Sequence, residues 1–367
     1  MDKKLLERCS KKVNNEIEIT WNELSNGTQY KNGESLRKAF SRYRKFNNNS
    51  VSKPENLNKI ENIQILKDEK TKLRQLTREY SRLEALKDII VDSVSNLNNI
   101  TPILYNPNKT IKQSTSEKEG VLLLSDWHSD LTVDSYFNKY NKEIFEDRLN
   151  RIVEGCISHG IINGISKLHV CNLNDLVSGI IHVSIRASTN NDVVSQIMYI
   201  SEKMSQILIK FSEFFNKVEF YNVIDNHSRV IANKNDSINK ENFSRIIPWF
   251  IKERCKDNKD IRVNETIDDE IAKFYVAGHL CFATHGHNDK IDKAVSNLSL
   301  MLKEVPDYVF MGHLHKNFED EVNDIDVILN PSLIGVDEHG KNIRKTSKNC
   351  QKFMIFNNEK RISTIYL

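Results

Sequence analysis

VLLLSDWH, residues 121–128, is the stretch that decides the fold. Its first five residues form an apolar, strand-like run, and it closes on Asp126 and His128, two positions apart. In extended backbone residues i and i+2 point to the same side, so both side chains can face one ion. The arrangement recurs four times downstream. Asp175 follows KLHVC (167–171), Asn226 and His227 follow VEFYNV (218–223), His285 closes LCFATH (280–285), and His313 and His315 follow DYVFM (307–311). With 11 His in 367 residues, one H-x-H pair arises by chance in about a third of such chains. Five ligand clusters in succession, each at the end of an apolar run, do not. Carboxylate and imidazole donors without a thiolate suit divalent first-row ions such as Mn, Fe or Zn.

Further apolar runs are IAKFYVA (271–277) and VILN (327–330), and helical patterns fill 142–158, 190–216, 238–256 and 289–303. Strands separated by helices of this length predict an α/β domain, with its site beyond the carboxyl ends of the strands. The segment after about 340, ending FMIFNNEKRISTIYL, is expected to return edge strands to the sheet.

The front of the chain has another texture. Residues 14–46 predict a short helix led by Trp21 and Leu24, a Gly-bearing turn, and a second helix with Leu36, Phe40 and Tyr43 on one face. The second helix carries Arg37, Lys38, Arg42, Arg44 and Lys45, so the pair is similar to a helix-turn-helix that would take DNA. The alternative is an ordinary helical pair with a solvated basic face. A polar linker (47–55) leads into a long amphipathic helix over 56–98, whose apolar spacing of threes, fours and sevens suits self-association. A second linker spans 99–118. The expected domains are thus 1–50, a helix-turn-helix-like region; 51–118, linker and long helix; and 119–367, the α/β domain.

Composition adds bounds. A length of 367 residues suits about two domains. Net charge is +3, but residues 1–60 hold 13 Lys and Arg against 7 Asp and Glu, so the front end is the part suited to a polyanion. Six scattered cysteines with no C-x-x-C read as buried, reduced thiols. The opening MDKKLLERCSKKV has no signal-like apolar core and no run is long enough to span a bilayer, so a cytoplasmic chain without membrane partners is expected. Richness in Asn, Lys and Ile suggests an AT-rich genome, as in a phage or a low-GC bacterium.

The order D-x-H, D, N-H, H, G-H-x-H over residues 119–335 resembles the calcineurin-like metallophosphoesterases, two-metal phosphoester hydrolases. The resemblance implies a four-layer αββα sandwich. It also implies two divalent ions, Mn2+ first with Fe or Zn as alternatives. Asp126, His128 and His315 would hold one ion, Asn226, His285 and His313 the other, and Asp175 would bridge them. His227 resembles the family histidine that protonates the leaving oxygen or stabilises the transition state. His287, two residues past His285, competes as a ligand, and the family pattern favours His285. His182, Arg186 and Arg229 are candidate phosphate contacts. Two family glycines are replaced, by Asn174 and Asp225; both residues tolerate left-handed backbone, and Asp225 would add a carboxylate near the ions. The stretch from Asp175 through NHSR (226–229) to ENFSRIIPWFIKERC (241–255) is similar to DNA-repair exonucleases or phosphoesterases of bacteriophages and their hosts. The resemblance implies phosphodiester hydrolysis by a metal-activated hydroxide; DNA as the substrate, in a nuclease or end-processing role, is expected from this together with the basic front end. Alternatives are a phosphatase or cyclic-nucleotide phosphodiesterase, and a DNA-bound scaffold with a decayed site.

Overall fold

The computed structural model describes residues 2–48, 55–97 and 117–367, in two units, Met1–Ala85 and Leu86–Leu367. In the first, α1 (Lys3–Val13), α2 (Trp21–Ser25) and α3 (Gly33–Asn48) enclose a small core of Leu5, Cys9, Leu24, Leu36 and Phe40. A capping box starts α2: the Glu23 N–H donates to Thr20 Oγ1 (3.2 Å) and the Thr20 N–H to Glu23 Oε2 (2.7 Å). Gly33 is required where the turn re-enters, because a Cβ there would collide with the backbone of Trp21 and Asn22. The expected helix pair is present, but α2 has only five residues. The unanticipated α1 supplies Leu5 and Cys9 to the core.

The long helix is α4 (Glu55–Leu97), and Ile63, Leu66, Leu73, Leu76 and Tyr80 along it are 52–69% exposed. Most of the two expected linkers lies outside the described residues.

The second unit opens with β1 (Glu119–Ser125), buried from Gly120 onward, as a strand covered on both faces must be. There follow β2 (Val133–Asp134), β3 (Lys139–Tyr140), α5 (Lys142–Ile162), β4 (Lys167–Asn174), α6 (Val183–Ala187), α7 (Val193–Ser212), β5 (Lys217–Asn222), α8 (Ile246–Arg254) and β6 (Ile261–Val263). The chain continues through β7 (Ile271–Val276), β8 (His279–Thr284), α9 (Ile291–Leu302), β9 (Tyr308–Met311), β10 (Phe318–Val322), β11 (Ile325–Leu329), α10 (Glu338–Asn342), β12 (Lys352–Phe356) and β13 (Arg361–Tyr366). One sheet runs β13-β12-β1-β4-β5-β6 and the other β10-β11-β9-β8-β7. β1, β4, β5 and β6 are parallel, as are β8, β9 and β11. Of the C-terminal strands only β13 is an edge; β12 is inserted beside β1 and wholly buried.

Strand alternation separates the apolar residues into three clusters. Leu122 and Leu124 pack with Phe145 and Leu149 of α5, Ile200 and Met204 of α7, and Ile247 of α8. Val121 and Leu123, on the opposite face of β1, join Cys171 and Tyr221 to Phe274, Cys281, Phe310 and Ile328 of the second sheet. Phe282, Val309 and Val327 meet Ala294, Val295 and Leu298 of α9. The unit is therefore a mixed α/β structure in which two sheets share a core and each has helices on another apolar cluster. None of the six cysteines is in a disulfide, and five are buried. No helix among the described residues is long and apolar enough to cross a membrane.

Candidate metal centre

Every ligand cluster lies at the carboxyl end of a parallel strand. Asp126 follows β1, Asp175 follows β4, Asn226 and His227 lie beyond β5, His285 follows β8, and His313 and His315 lie beyond β9. Three of these strands belong to one sheet and two to the other, so the site forms where the ends of both sheets meet.

The backbone at these ends is unusual. Asp126 (φ 54°), His128 (42°), Asn174 (71°), Asp175 (55°), His313 (63°) and His315 (49°) all adopt left-handed conformations, which side chains other than Gly, Asn and Asp rarely accept. Cross-links hold them: the Asp126 N–H donates to the Asn174 carbonyl (2.8 Å), the His128 N–H to the Asp175 carbonyl (3.1 Å), and the His313 N–H to Asp126 Oδ2 (3.1 Å).

These loops bring the expected ligands into one place. Donor atoms of Asp126, His128 and His315 lie within 4.8 Å of one another, and so do those of Asp175, His285 and His313 and those of His128, Asp175 and His227. His315 Nε2 is 3.3 Å from Asp126 Oδ1 and 3.4 Å from His128 Nε2. His285 Nε2 is 3.2 Å from Asp175 Oδ2 and 3.1 Å from Asn226 Oδ1.

Three observations fit this donor set to metal. Asp126 Oδ1 is buried with no well-formed hydrogen bond, His315 Nε2 at 3.3 Å being its ion-pair neighbour, and an ion would complete its surroundings. The ring of His285 is turned by Nδ1, 2.7 Å from the Leu173 carbonyl; a carbonyl only accepts, so Nδ1 carries the hydrogen and Nε2 faces the oxygens of Asp175 and Asn226. Burial, with the neighbouring His227, pulls His128 down to about 4, and burial with His285 pulls His313 down to about 4, so both offer neutral lone pairs. Burial also opposes charge on His285, but the carboxylate of Asp175 outweighs it and raises the imidazole to about 10. Loading this position therefore displaces a proton. Burial likewise opposes ionisation of Asp126 and Asp175. His315 and His285 hold Asp126 below the usual carboxylate range, and His227 and His285 do the same for Asp175.

No protein-family profile matches the chain. Along its length it is 26% identical, over 371 residues, to the SPbeta prophage-derived uncharacterized protein YonJ of Bacillus subtilis strain 168, covering 93% of this chain and 90% of that one. Solved structures with some likeness include a novel archaeal phosphodiesterase (TM-score 0.34, 13% identity, 68% of this chain and 99% of that one). Vps29 of Entamoeba histolytica complexed with zinc gives 0.31 and 13%, over 68% and 97% of the two chains. The YfcE phosphoesterase of E. coli gives 0.30 and 11%, over 67% and 98%. These scores are low, and the chemistry of the site stands on its own residues.

His227 sits beside the ligands with its ring fixed. Nδ1 is 3.2 Å from the Ser178 carbonyl and so carries a hydrogen, its backbone N–H donates to Asp175 Oδ1 (3.3 Å), and Nε2 is 3.9 Å from Asp175 Oδ2. His285 shares a group with Asp175 and His313, whereas His287 Nε2 faces Asn288 Nδ2 (3.1 Å) and Glu270 (3.9 Å).

The two glycine replacements separate. Asn174 takes the left-handed backbone expected of it; Asp225 is not in that conformation. Asp225 is there for its carboxylate, which does not face the ligand cluster as a spare donor. Oδ2 accepts the Asp175 N–H (3.1 Å) and Ser228 Oγ–H (2.9 Å), and Oδ1 accepts the Ser228 N–H (2.5 Å). It ties the Asp175 turn to the Asn226–Ser228 turn. Burial, followed by the charge of Asp175, pushes it up to about 6.

Of the candidate phosphate contacts, His182 is exposed with its ring 5.4 Å from that of His227. Arg229 is turned onto its own loop, donating through Nε to the Ile231 carbonyl (3.1 Å) and through Nη2 to the Ala232 carbonyl (2.9 Å). Arg186 is exposed on α6. His169, within the KLHVC run, is buried in the first sheet, 2.8 Å from Glu119 Oε2 and 3.2 Å from Tyr221 Oη.

Gly179 is a residue the motif reading passed over. It has φ 71°, and a Cβ there would collide with the carbonyl oxygen of His227. The Gly179→Ala variant is expected to lose about 1–3 kcal/mol from backbone strain alone and to displace His227, lowering turnover even in molecules that fold. Thermal melts beside steady-state rates check this; wild-type values in both would show that the two turns need not approach.

Proposed function

We propose that the chain is a dinuclear metal-dependent phosphodiesterase of the calcineurin-like type, acting on DNA as a nuclease or end-processing enzyme. The helix–sheet–sheet–helix order of its apolar clusters is then the four-layer αββα arrangement. The observation that carries the reading is Asp175, whose one buried carboxylate belongs to two ligand groups, with His285 and His313 on one side and His128 and His227 on the other. Asp126, His128 and His315 would hold the first ion and Asn226, His285 and His313 the second, with Asp175 between.

Bound there, divalent ions supply a water of lowered pKa and the positive charge that a phosphoester needs. The chain's own residues do the rest. Asp225 fixes the two turns that carry Asp175 and His227. The Nδ1–H bond to the Ser178 carbonyl leaves His227 Nε2 as the atom that, in the imidazolium, gives a proton to the leaving oxygen. A prophage-borne relative and a basic front end support a nucleic-acid substrate and a phage or bacterial cytoplasmic setting. Arg37, Lys38, Arg42, Arg44 and Lys45 are all exposed on α3, and Trp21, Arg37, Arg44 and Lys45 line one groove. Tethering such a module to a hydrolase raises its effective concentration on a polymer. The exposed apolar stripe of α4 is assigned to a second copy of the chain.

The test is manganese-supplemented hydrolysis of bis-p-nitrophenyl phosphate beside p-nitrophenyl phosphate and linear DNA. Diester and DNA cleavage supports the reading. Monoester cleavage alone would make it a phosphatase, and silence on all three with metal bound would make it a scaffold. Deleting residues 1–60 should weaken DNA binding in a salt-dependent way while sparing the aryl diester. Unaltered DNA affinity would remove the helix-turn-helix assignment.

A further inference from the structure

Tyr136 and Phe137 stand at the tip of the β2–β3 hairpin, 96% and 55% exposed, with ring centroids 5.3 Å apart and planes at 89°. Adjacent aromatics in water are apolar area without a partner. Their backbone is not loose. The Ser135 N–H donates to the Asn138 carbonyl (3.0 Å), and Ser135 Oγ accepts the N–H groups of Phe137 (3.3 Å) and Asn138 (3.2 Å).

The hairpin is fastened to the metal centre at two points. Tyr140 Oη donates to the Trp127 carbonyl (2.5 Å), between Asp126 and His128. Asn138 Nδ2 donates to the carbonyls of Ile334 (2.8 Å) and Val336 (3.0 Å), in the segment whose Leu333 N–H rests on the Asp126 carbonyl (3.1 Å). The next stretch of chain leaves and returns beside Asn138, since a Cβ on Gly335 would lie 3.5 Å from both Asn138 and Asn349. Within it Arg344, Lys345 and Lys348 are exposed. Its two acids are already engaged, Glu338 with Lys341 (3.8 Å) and Asp337 with the Gly340 N–H (2.6 Å). Exposed rings on a pinned backbone, and a segment in which Lys341, Arg344, Lys345 and Lys348 outnumber Asp337 and Glu338, thus lie on chain anchored beside Asn138.

We propose that Tyr136 and Phe137, with Arg344, Lys345 and Lys348, form a platform that takes unpaired bases and phosphates of a single-stranded polynucleotide next to the metal centre. Stacking on aromatic faces and a cationic track are the two means by which single strands are held. A duplex covers its base faces with neighbouring bases, so these rings have nothing to stack on there. The inference rests on the phosphodiesterase reading and names its substrate class.

The experiment compares the manganese-loaded full chain on a short thymidine strand and an abasic strand of equal length. The wild type is expected to prefer the thymidine strand by about tenfold in kcat/KM, and Tyr136→Ala with Phe137→Ala to bring the two strands level. Arg344→Glu with Lys345→Glu should lower both strands alike and flatten the salt dependence. A wild type without preference, or a double alanine variant that keeps it, overturns the platform and leaves the hydrolase standing. If the wild type cleaves neither strand, hydrolysis of bis-p-nitrophenyl phosphate decides the phosphodiesterase reading, and fluorescence anisotropy of the same strands decides the platform separately. Loss of thymidine preference in the variant then supports it, and equal affinity overturns it.

Discussion

Replacing Asp175 with alanine is expected to lower kcat/KM on bis-p-nitrophenyl phosphate by more than about a thousandfold, the scale of the several kcal/mol a catalytic metal contributes. The size follows from how much converges on this residue. Its carboxylate lies 3.2 Å from His285 Nε2 and accepts the His227 N–H, its carbonyl accepts the His128 N–H, and its own N–H is held by Asp225. Metal analysis should show the stoichiometry falling below two. Alanine is also strained at φ 55°, so Asp175→Asn is the companion variant. Asn tolerates that backbone, and a matching loss there is a loss of charge rather than of shape. Two ions retained with unchanged turnover would remove Asp175 as the shared ligand.

The His227→Ala variant is expected to lose about 10²–10⁴-fold in kcat, the usual contribution of a positioned acid or base, with both ions retained. Metal content is the discriminating readout, because His227 Nε2 lies near enough to Asp175 and His128 to sit in a ligand group of its own. If the variant loses an ion, His227 is a ligand and the proton donor lies elsewhere. His182, with its ring 5.4 Å away, would be the next residue to replace.

The strands and the ligands were legible because both leave one-dimensional marks. Apolar runs followed by Asp, Asn or His gave β1, β4, β5, β8 and β9 with small boundary errors, and the side chains at the seven candidate ligand positions lie close together. Missed elements lacked such marks. β10, reading FEDEV, is too charged for a strand of a buried sheet and is stable because Lys352, wholly buried, and Arg361 reach Glu319 at 3.0 and 2.6 Å. α1 is short and strongly basic, and it depends on two residues, Leu5 and Cys9, for its place. Asp225 was legible as a carboxylate beside the ligand positions but not as a tie between turns, because a residue type says nothing about where its oxygens point, and here three donors from two turns claim them. Gly179 was invisible for a related reason. Its importance comes from a backbone 48 positions away, which no local pattern encodes.

Ligands from β1, β4 and β5 and ligands from β8 and β9 are carried by different sheets. Their separation is therefore set by the side chains stacked between the sheets, Tyr221 and His169 of the first sheet on Phe274 of the second, at 4.1 and 5.9 Å between centroids, among them. Facing sheets take up the thickness of what fills them. That aromatic filling is a spacer gauge for the candidate metal centre, and a change of one ring deep in the molecule is expected to retune the gap between its two sets of side chains without touching any of them.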